Sequence, residues 1–478
     1  MAIKATKANK ANNYQYSGAS RRFTLQNYRW RELSLFIIPF LILLLEMTQL
    51  LLANLDPHSS FSTKSLPTIH DLIPALGLIG VLLAVNVLLS FTFPKADQML
   101  LPLVGLLSGL GMLMATRLGP DTGVPDLGSR QLIWVIIGIV ACIATLFLLR
   151  NMGWLRRYKY TWAFLGIVLV GLTLVNALRT KNLNSPTHDQ LNFGPLNLQP
   201  SELLKIFLVI FFAAYLSENF DILSEGNLRI GRLRLPPLAQ LGPLALMLGL
   251  ALLLFLGIRE LGLALLIYGI FLCMIYLGTQ KISYVVVSLL IFAVLGFIGY
   301  KLFSYVQVRF QTVPFDVVNW QNWTPDQVNF AENQGLQIVQ GLIALSSGGI
   351  LGTGLGLGHP AYVPVIQSDM VFVAFGEELG LAGLFAILGI YLLLIYRGYR
   401  IAVEAREPFN QMLAAGLTSI FAIQTFVIAA ANMKFLPLTG IPLPFLSYGG
   451  SSVIANYIII GILLRISHNT AQEREGLA

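Results

Sequence analysis

The stretch Gly440 to Gly450 reads G-I-P-L-P-F-L-S-Y-G-G and lies between two long apolar runs. Two prolines and three glycines in these uncharged residues rule out an uninterrupted helix. In a membrane, backbone of this kind survives only where protein buries it or where it lines a cavity. The stretch therefore predicts a polytopic membrane protein with an irregular, structured re-entry beside its last helix. That is also where function is expected.

The rest of the chain agrees. It has 478 residues, 56% hydrophobic and 11% charged, with mean hydropathy +0.72. Soluble domains carry about 25% charged residues. The net charge of +8 is assigned to loops on one membrane face, with the membrane and not nucleic acid as the partner surface. Cys142 and Cys273 lie inside apolar runs and offer neither a disulfide framework nor metal-ligand spacing. Residues 1–32 hold Lys4, Lys7, Lys10, Arg21, Arg22, Arg29 and Arg31 without a small-residue cleavage site, and read as a disordered, basic cytoplasmic tail.

Runs of roughly 20 apolar residues mark spanning helices. They fall at Leu33–Leu55, Leu72–Phe93, Met99–Leu118, Gln131–Leu149, Tyr160–Leu178 and Glu202–Leu216. Further runs are Leu238–Ile258, Leu261–Gly278, Ile282–Phe303, Val371–Tyr396, Gln411–Met433 and Ser451–Ile466. The fold class is thus all-α with about twelve spans, provided Arg259 and Glu260 form a turn and not a break within one helix. Cations set the orientation. The N-terminal tail, the Arg150/Arg156/Arg157/Lys159 loop, the Arg229/Arg232/Arg234 loop, Arg397/Arg400/Arg406, Lys95, Lys281 and Arg465 fall on one side. Both termini are then cytoplasmic. Leu55–Asp71, Arg179–Ser201, the large loop Ser304–Met370 and Lys434–Gly450 face outward, with Arg259 and Glu260.

The unusual polar stretches converge on that outward face. Gln199-Pro200-Ser201-Glu202 reads as a helix start, with Lys205 on the same face as Glu202; a capped helix with an internal ion pair explains it as well as a binding role does. Glu260 is a salt-bridge partner of Arg259, a solvated turn residue or a general base. Glu377 and Glu378 need partners, with Arg309 or Lys434 in view, and Glu46 in the first span has no evident partner. Gly348, Gly349, Gly352, Gly354, Gly356 and Gly358 form an anion-binding nest or a set of close turns.

Together these blocks resemble the SEDS family (shape, elongation, division, sporulation), whose members include FtsW, RodA and SpoVE. The likeness runs from about Met99 to Ile466. It rests on Gln199–Glu202 with Lys205, on Ala344–Gly358 (A-L-S-S-G-G-I-L-G-T-G-L-G-L-G), and on Asp369 followed by Phe372 and Gly376-Glu377-Glu378-Leu379-Gly380. It rests most of all on Leu436–Asn456 (L-P-L-T-G-I-P-L-P-F-L-S-Y-G-G-S-S-V-I-A-N). The resemblance implies a ten-helix peptidoglycan glycosyltransferase that polymerises lipid II, an undecaprenyl-diphosphate-linked disaccharide, on the outer face of a bacterial cytoplasmic (inner) membrane. It also implies a class B penicillin-binding protein as partner, in elongation or division. On this reading residues 33–98 are two additional helices, 99–468 the core with its outer loop 304–370, and 469–478 a cytoplasmic C-terminal tail.

One position departs from the pattern. The family carries Asp before Leu-Gly where this chain has Glu260-Leu261-Gly262. The added methylene moves the carboxylate by roughly 1 Å, and such a displacement can cost about 100-fold. The Arg-Trp pair often seen before Gln199 is also missing from N-F-G-P-L-N-L.

Glycan growth needs a base for the attacking sugar hydroxyl and cations for the departing diphosphate. The resemblance implies Glu260 as the base. The candidate substrate-binding residues are Arg309, Lys205, Glu202, Ser201, Asp369, Lys434, Ser447, Tyr448 and Gly449, with Arg259 a further cation. A divalent cation, magnesium or manganese, is a candidate helper; no nucleotide is expected, since the donor is already activated and no P-loop occurs. The rivals are a flippase for the lipid-linked precursor and an inactive scaffold for the transpeptidase.

Overall fold

The computed structural model describes residues 28–53, 72–179, 190–193, 196–220, 223, 228–230, 233–235 and 238–476. The tail before Tyr28, the whole of Leu55–Asp71, and the side chains of Arg229, Arg232 and Arg234 lie outside the described residues. Helices dominate: α1 Trp30–Ala53, α2 Ile73–Thr92, α3 Leu100–Leu118, α4 Leu127–Leu148, α5 Gly153–Arg157, α6 Lys159–Arg179, α7 Pro200–Glu218 and α8 Leu238–Gly257. They continue with α9 Leu261–Thr279, α10 Ile282–Leu302, α11 Ser304–Gln311, α12 Pro325–Glu332, α13 Leu336–Gly348, α14 Val371–Glu404, α15 Pro408–Asn432 and α16 Gly450–Glu475. Two three-residue antiparallel hairpins interrupt the helices, Leu191–Phe193 with Leu196–Leu198 and Leu228–Ile230 with Leu233–Leu235.

Among the described residues, eleven helices are long and apolar enough to cross a membrane, and the apolar stretch Leu241–Gly257 within α8 stands where the remaining span was expected. The Arg259–Glu260 pair is a turn and does not break one helix. Arg259 takes a left-handed φ of 62°, while Arg259 N–H donates to Leu256 O (3.3 Å) and Glu260 N–H to Phe255 O (2.8 Å). These two bonds close α8 as a Schellman cap, a geometry that normally uses glycine.

Burial separates a central group from a peripheral one. α3 and α7 are mostly buried among other helices, whereas α10 is almost wholly exposed. α16 lies along α4, where Gly138 admits the Tyr457 ring and Gly461 admits the Cys142 backbone. Small residues allow such close approach in place of a hydrophobic driving force, which lipid does not supply.

The large loop 304–370 holds more regular structure than its sequence announces. α12 begins with a full capping box: Thr324 Oγ1 accepts from Gln327 N–H, and the Gln327 side chain accepts from Thr324 N–H. Phe315, Ala331, Ile338 and Val339 bury a small core of their own there.

The start of α1 and the end of α16 lie at the same end of the bundle. Lys95 pairs with Glu475, Asp97 N–H donates to Ser467 Oγ, and Arg29 donates to Phe93 O, Ala96 O and Asp97 O. Arg156 with Glu218 and Glu407, and Arg474 with Glu404, join the same basic end. The Gly440–Gly450 segment occupies the opposite end.

Candidate functional site

Between α15 and α16, residues 441–447 are buried by protein. Ile441, Leu443, Phe445, Leu446 and Ser447 are each at most 2% exposed. Carbonyls of the segment are met one by one by side chains from different helices. Gln424 of α15 donates to Pro442 O at 2.6 Å, Tyr391 of α14 to Pro444 O, and Gln131 of α4 to Ser447 O at 3.3 Å. Arg309 of α11 donates to Leu438 O and Thr439 O, both at 3.4 Å. Ser447 Oγ accepts from Leu443 N–H at 2.7 Å and donates to Ser368 O, while Tyr448 N–H donates to Gln367 O at 2.9 Å. These bonds meet backbone groups that would be prohibitive to leave unpaired in lipid. A Cβ at Gly111 would stand 2.6 Å from Phe445 O and Leu446 O, and one at Gly262 only 2.1 Å from Thr439 O, so both glycines are required by close backbone approach.

The glycine string after α13 serves the protein's own backbone. α14 breaks at Gly380 (φ 68°, ψ −169°), which strands polar groups on either side. Thr353 N–H and Gly354 N–H donate to Glu377 O and Glu378 O, while Leu381 N–H and Ala382 N–H donate to Gly349 O and Ile350 O. Gly356 N–H and His359 N–H then donate to the carboxylates of Glu378 and Glu377. The nest geometry is real, and it holds these two side chains. Their expected cation partners were Arg309 or Lys434; the cation on Glu378 is instead Arg117, at 2.9 Å, which also donates to Gly358 O and pairs with Asp121. Sequence reasoning missed Arg117, although a lone charge near the end of the α3 run was a signal that it needed a buried anion.

Glu260 is the N-cap residue of α9 and is partly exposed. Beside it, the Arg259 guanidinium lies 5.4 Å from the Tyr305 ring centre. Burial pushes the Tyr305 phenol up, and the positive charges of Arg259 and Arg309 pull it back. Arg309 also acts on Asp369, which is partly buried and accepts from Gln337 Nε2 at 3.2 Å. Burial lifts the Asp369 carboxyl to about 6, against the lowering by Gln337 and Arg309. Asn432 Nδ2 fixes the Asp369 backbone at 3.1 Å. The structure thus brings Arg259, Arg309, Asp369, Glu260 and the segment together at one end. Lys434 stands slightly apart, in a left-handed φ of 66°, with its ammonium on Phe315 O.

Glu202 and Lys205 lie beneath the segment with no side-chain exposure, 2.6 Å apart. Lys205 also reaches Gln424 Oε1 at 3.3 Å, so the chain Glu202–Lys205–Gln424–Pro442 ties α7 to the segment. Glu202 Oε1 and Ser201 Oγ are buried without a hydrogen-bond partner among the described residues. Ser447 is buried and doubly engaged, whereas Tyr448 and Gly449 are partly exposed. Glu46 Oε2 likewise lacks a partner among the described residues.

An apolar cavity of about 260 Å³ opens between α8, α9 and α10, walled by Leu244, Leu248, Phe271, Tyr284, Ile291 and Leu295. It starts some eight residues along α9 from Glu260, about 12 Å at 1.5 Å per residue. Among the described residues no three His, Cys, Asp or Glu side chains gather as a metal ligand set.

Residues 97–472 match the family model of FtsW, RodA and SpoVE, described as cell cycle protein. The peptidoglycan glycosyltransferase RodA of Mycobacterium leprae is 36% identical over 387 residues, 79% of this chain and 78% of that one. The probable peptidoglycan glycosyltransferase FtsW of Geobacter metallireducens is 31% identical over 344 residues, 71% of this chain and 84% of that one. In fold, the crystal structure of the Thermus thermophilus rod shape determining protein RodA is similar with a TM-score of 0.52 at 21% identity, over 78% of this chain and 97% of that one. A chain of a peptidoglycan synthase complex gives 0.59 at 22%, over 78% and 98%. α1 and α2 precede the matched residues. With its buried Pro-Gly segment, its glycine-locked helix break and this span of similarity, the chain belongs to the FtsW, RodA and SpoVE family of cell cycle proteins.

Proposed function

We infer that this chain is a peptidoglycan glycosyltransferase that polymerises lipid II at the end of the bundle opposite its basic loops. The observation that carries the reading is the meeting of Glu260, Arg259, Arg309 and Asp369 beside one segment whose residues 441–447 are buried and held by side chains of several helices. On the positive-inside rule the basic end is cytoplasmic and this end faces outward. The partner is a class B penicillin-binding protein, on the strength of the family resemblance.

The chemistry is a displacement. A sugar hydroxyl oxygen bonds to the anomeric carbon of the donor, the carbon–oxygen bond to the diphosphate breaks, and the electron pair leaves with the polyprenyl diphosphate. The hydroxyl proton passes to a carboxylate. Glu260 is that base: it is partly exposed at a hydrogen-bonded turn, on the α9 N-terminus beside a cation. Arg309 and Arg259 receive the charge that builds on the diphosphate. The polyprenyl tail takes the apolar groove between α8 and α10, which begins about 12 Å along α9 from the turn. Asp369 is a second reading for the base, favoured by its lift to about 6, which suits proton transfer near neutrality.

Purified wild-type protein with its transpeptidase and labelled lipid II tests the function. Glycan strands are expected. Lipid II crossing the bilayer without glycan would favour the flippase, and partner binding with neither would favour the scaffold.

A further inference from the structure

The basic end holds a cleft of about 1040 Å³ that glycan synthesis does not use. The first turns of α1 form one wall, the ends of α14 and α16 the other, and the α2–α3 turn the floor. Without α1 this would be open surface, so the cleft is a product of the helix pair that precedes the family match.

Its charges do not balance. Lys95 pairs with Glu475 and Arg397 with Asp97, while Arg400 and Arg474 share Glu404. Arg31 has no carboxylate partner among the described residues. Five cations therefore face three carboxylates, a surplus of two. Arg397 Nε is in addition a buried donor without an acceptor.

The remaining lining fits a lipid. Trp30 is 55% exposed and its ring lies 4.8 Å from that of Tyr28, an aromatic pair at the head of a spanning helix, where the membrane interface lies. From Leu35, the exposed side chains of Ile38, Leu41 and Leu45 continue along α1 at helical spacing. We propose that this cleft binds the phosphate headgroup of an anionic phospholipid, with its acyl chains along the exposed face of α1. Basic pockets between spanning helices suit such headgroups. The preceding 27 residues carry Lys4, Lys7, Lys10, Arg21 and Arg22 and no Asp or Glu, so they complement the same anionic surface and not the cleft.

The test uses the full-length chain in detergent with three probes, phosphatidylglycerol, phosphatidylcholine and inorganic phosphate, read by native mass spectrometry. Phosphatidylglycerol is expected to be retained over phosphatidylcholine. Arg31→Gln lowers its retention roughly fivefold, and Arg31→Gln with Arg474→Gln roughly 25-fold, each cation near the surface counting about equally. Both positions are solvent-exposed, and Arg400→Gln serves as a second variant with the same expected direction. Equal retention of the two lipids, or an unchanged double variant, overturns the proposal. Displacement by millimolar inorganic phosphate overturns the lipid as the source of the anion. Loss of binding on deleting residues 1–27, with the cleft intact, assigns it to the tail and also overturns the proposal. The readout is independent of glycan formation, so it stands or falls apart from the enzymatic reading.

Discussion

Arg29–Glu32 and Lys205–Glu202 are the same device in sequence: a glutamate and a cation three residues apart at the head of a spanning helix, both without side-chain exposure. Their surroundings differ. Every Arg29 donor is used: Nε and Nη2 on Glu32, Nη1 on Phe93 O and Ala96 O, Nη2 also on Asp97 O, with Asn86 completing Glu32. This pair is a clamp that fixes α1 to the α2–α3 turn. At the other end, Glu202 Oε1 and Ser201 Oγ have no hydrogen-bond partner among the described residues, while Lys205 divides itself between Glu202 and Gln424. A saturated network holds one structure; a network with spare capacity, directly under a segment that meets solvent, can take a second arrangement. Reserve of this kind suits the functional end.

Breaking the clamp has the largest expected effect on stability. Arg29→Met leaves Glu32 buried and uncompensated, a loss of about 3–5 kcal/mol in unfolding measurements, with activity per folded molecule unchanged. Glu202→Gln is expected to do the reverse: polymerisation falls about 100-fold through a misplaced segment, with a smaller loss of stability. Equal losses of both kinds in the two variants would erase the distinction.

The pH profile sharpens the comparison within the functional end. Asp369 ionises near 6 in the folded protein, so if it is the base, kcat/KM falls about tenfold per pH unit below that value. Arg309 lowers this carboxyl, so Arg309→Met should move the acidic limb to higher pH. A limb that stays in place in Asp369→Asn assigns the proton to another group. The smallest effect belongs to the cap: Arg259→Gly removes a left-handed non-glycine residue and should stabilise by about 1 kcal/mol, while weakening lipid II turnover.

The helices were legible because a spanning segment must be long and apolar. The buried re-entry was legible because Gly440–Gly450 has no other way to exist in a membrane. The helix break at Gly380 was not, since F-G-E-E-L-G reads equally well as continuous helix; only the strands of backbone from Gly349 to Gly354 make the break affordable. The partner of Glu378 was misassigned for a related reason. Arg117 and Glu378 are 261 residues apart, and no local pattern links them. α12, by contrast, was readable and overlooked: Thr324-Pro325-Asp326-Gln327 is a capping box with proline at the first helical position.

The most direct test is glycan formation by Glu260→Gln beside wild type and Glu260→Asp, each folded to the same extent. With Glu260 as the base, wild type and Glu260→Asp form strands, and Glu260→Gln loses at least about 100-fold. Strands from Glu260→Gln at the wild-type rate would contradict it and move the base to Asp369.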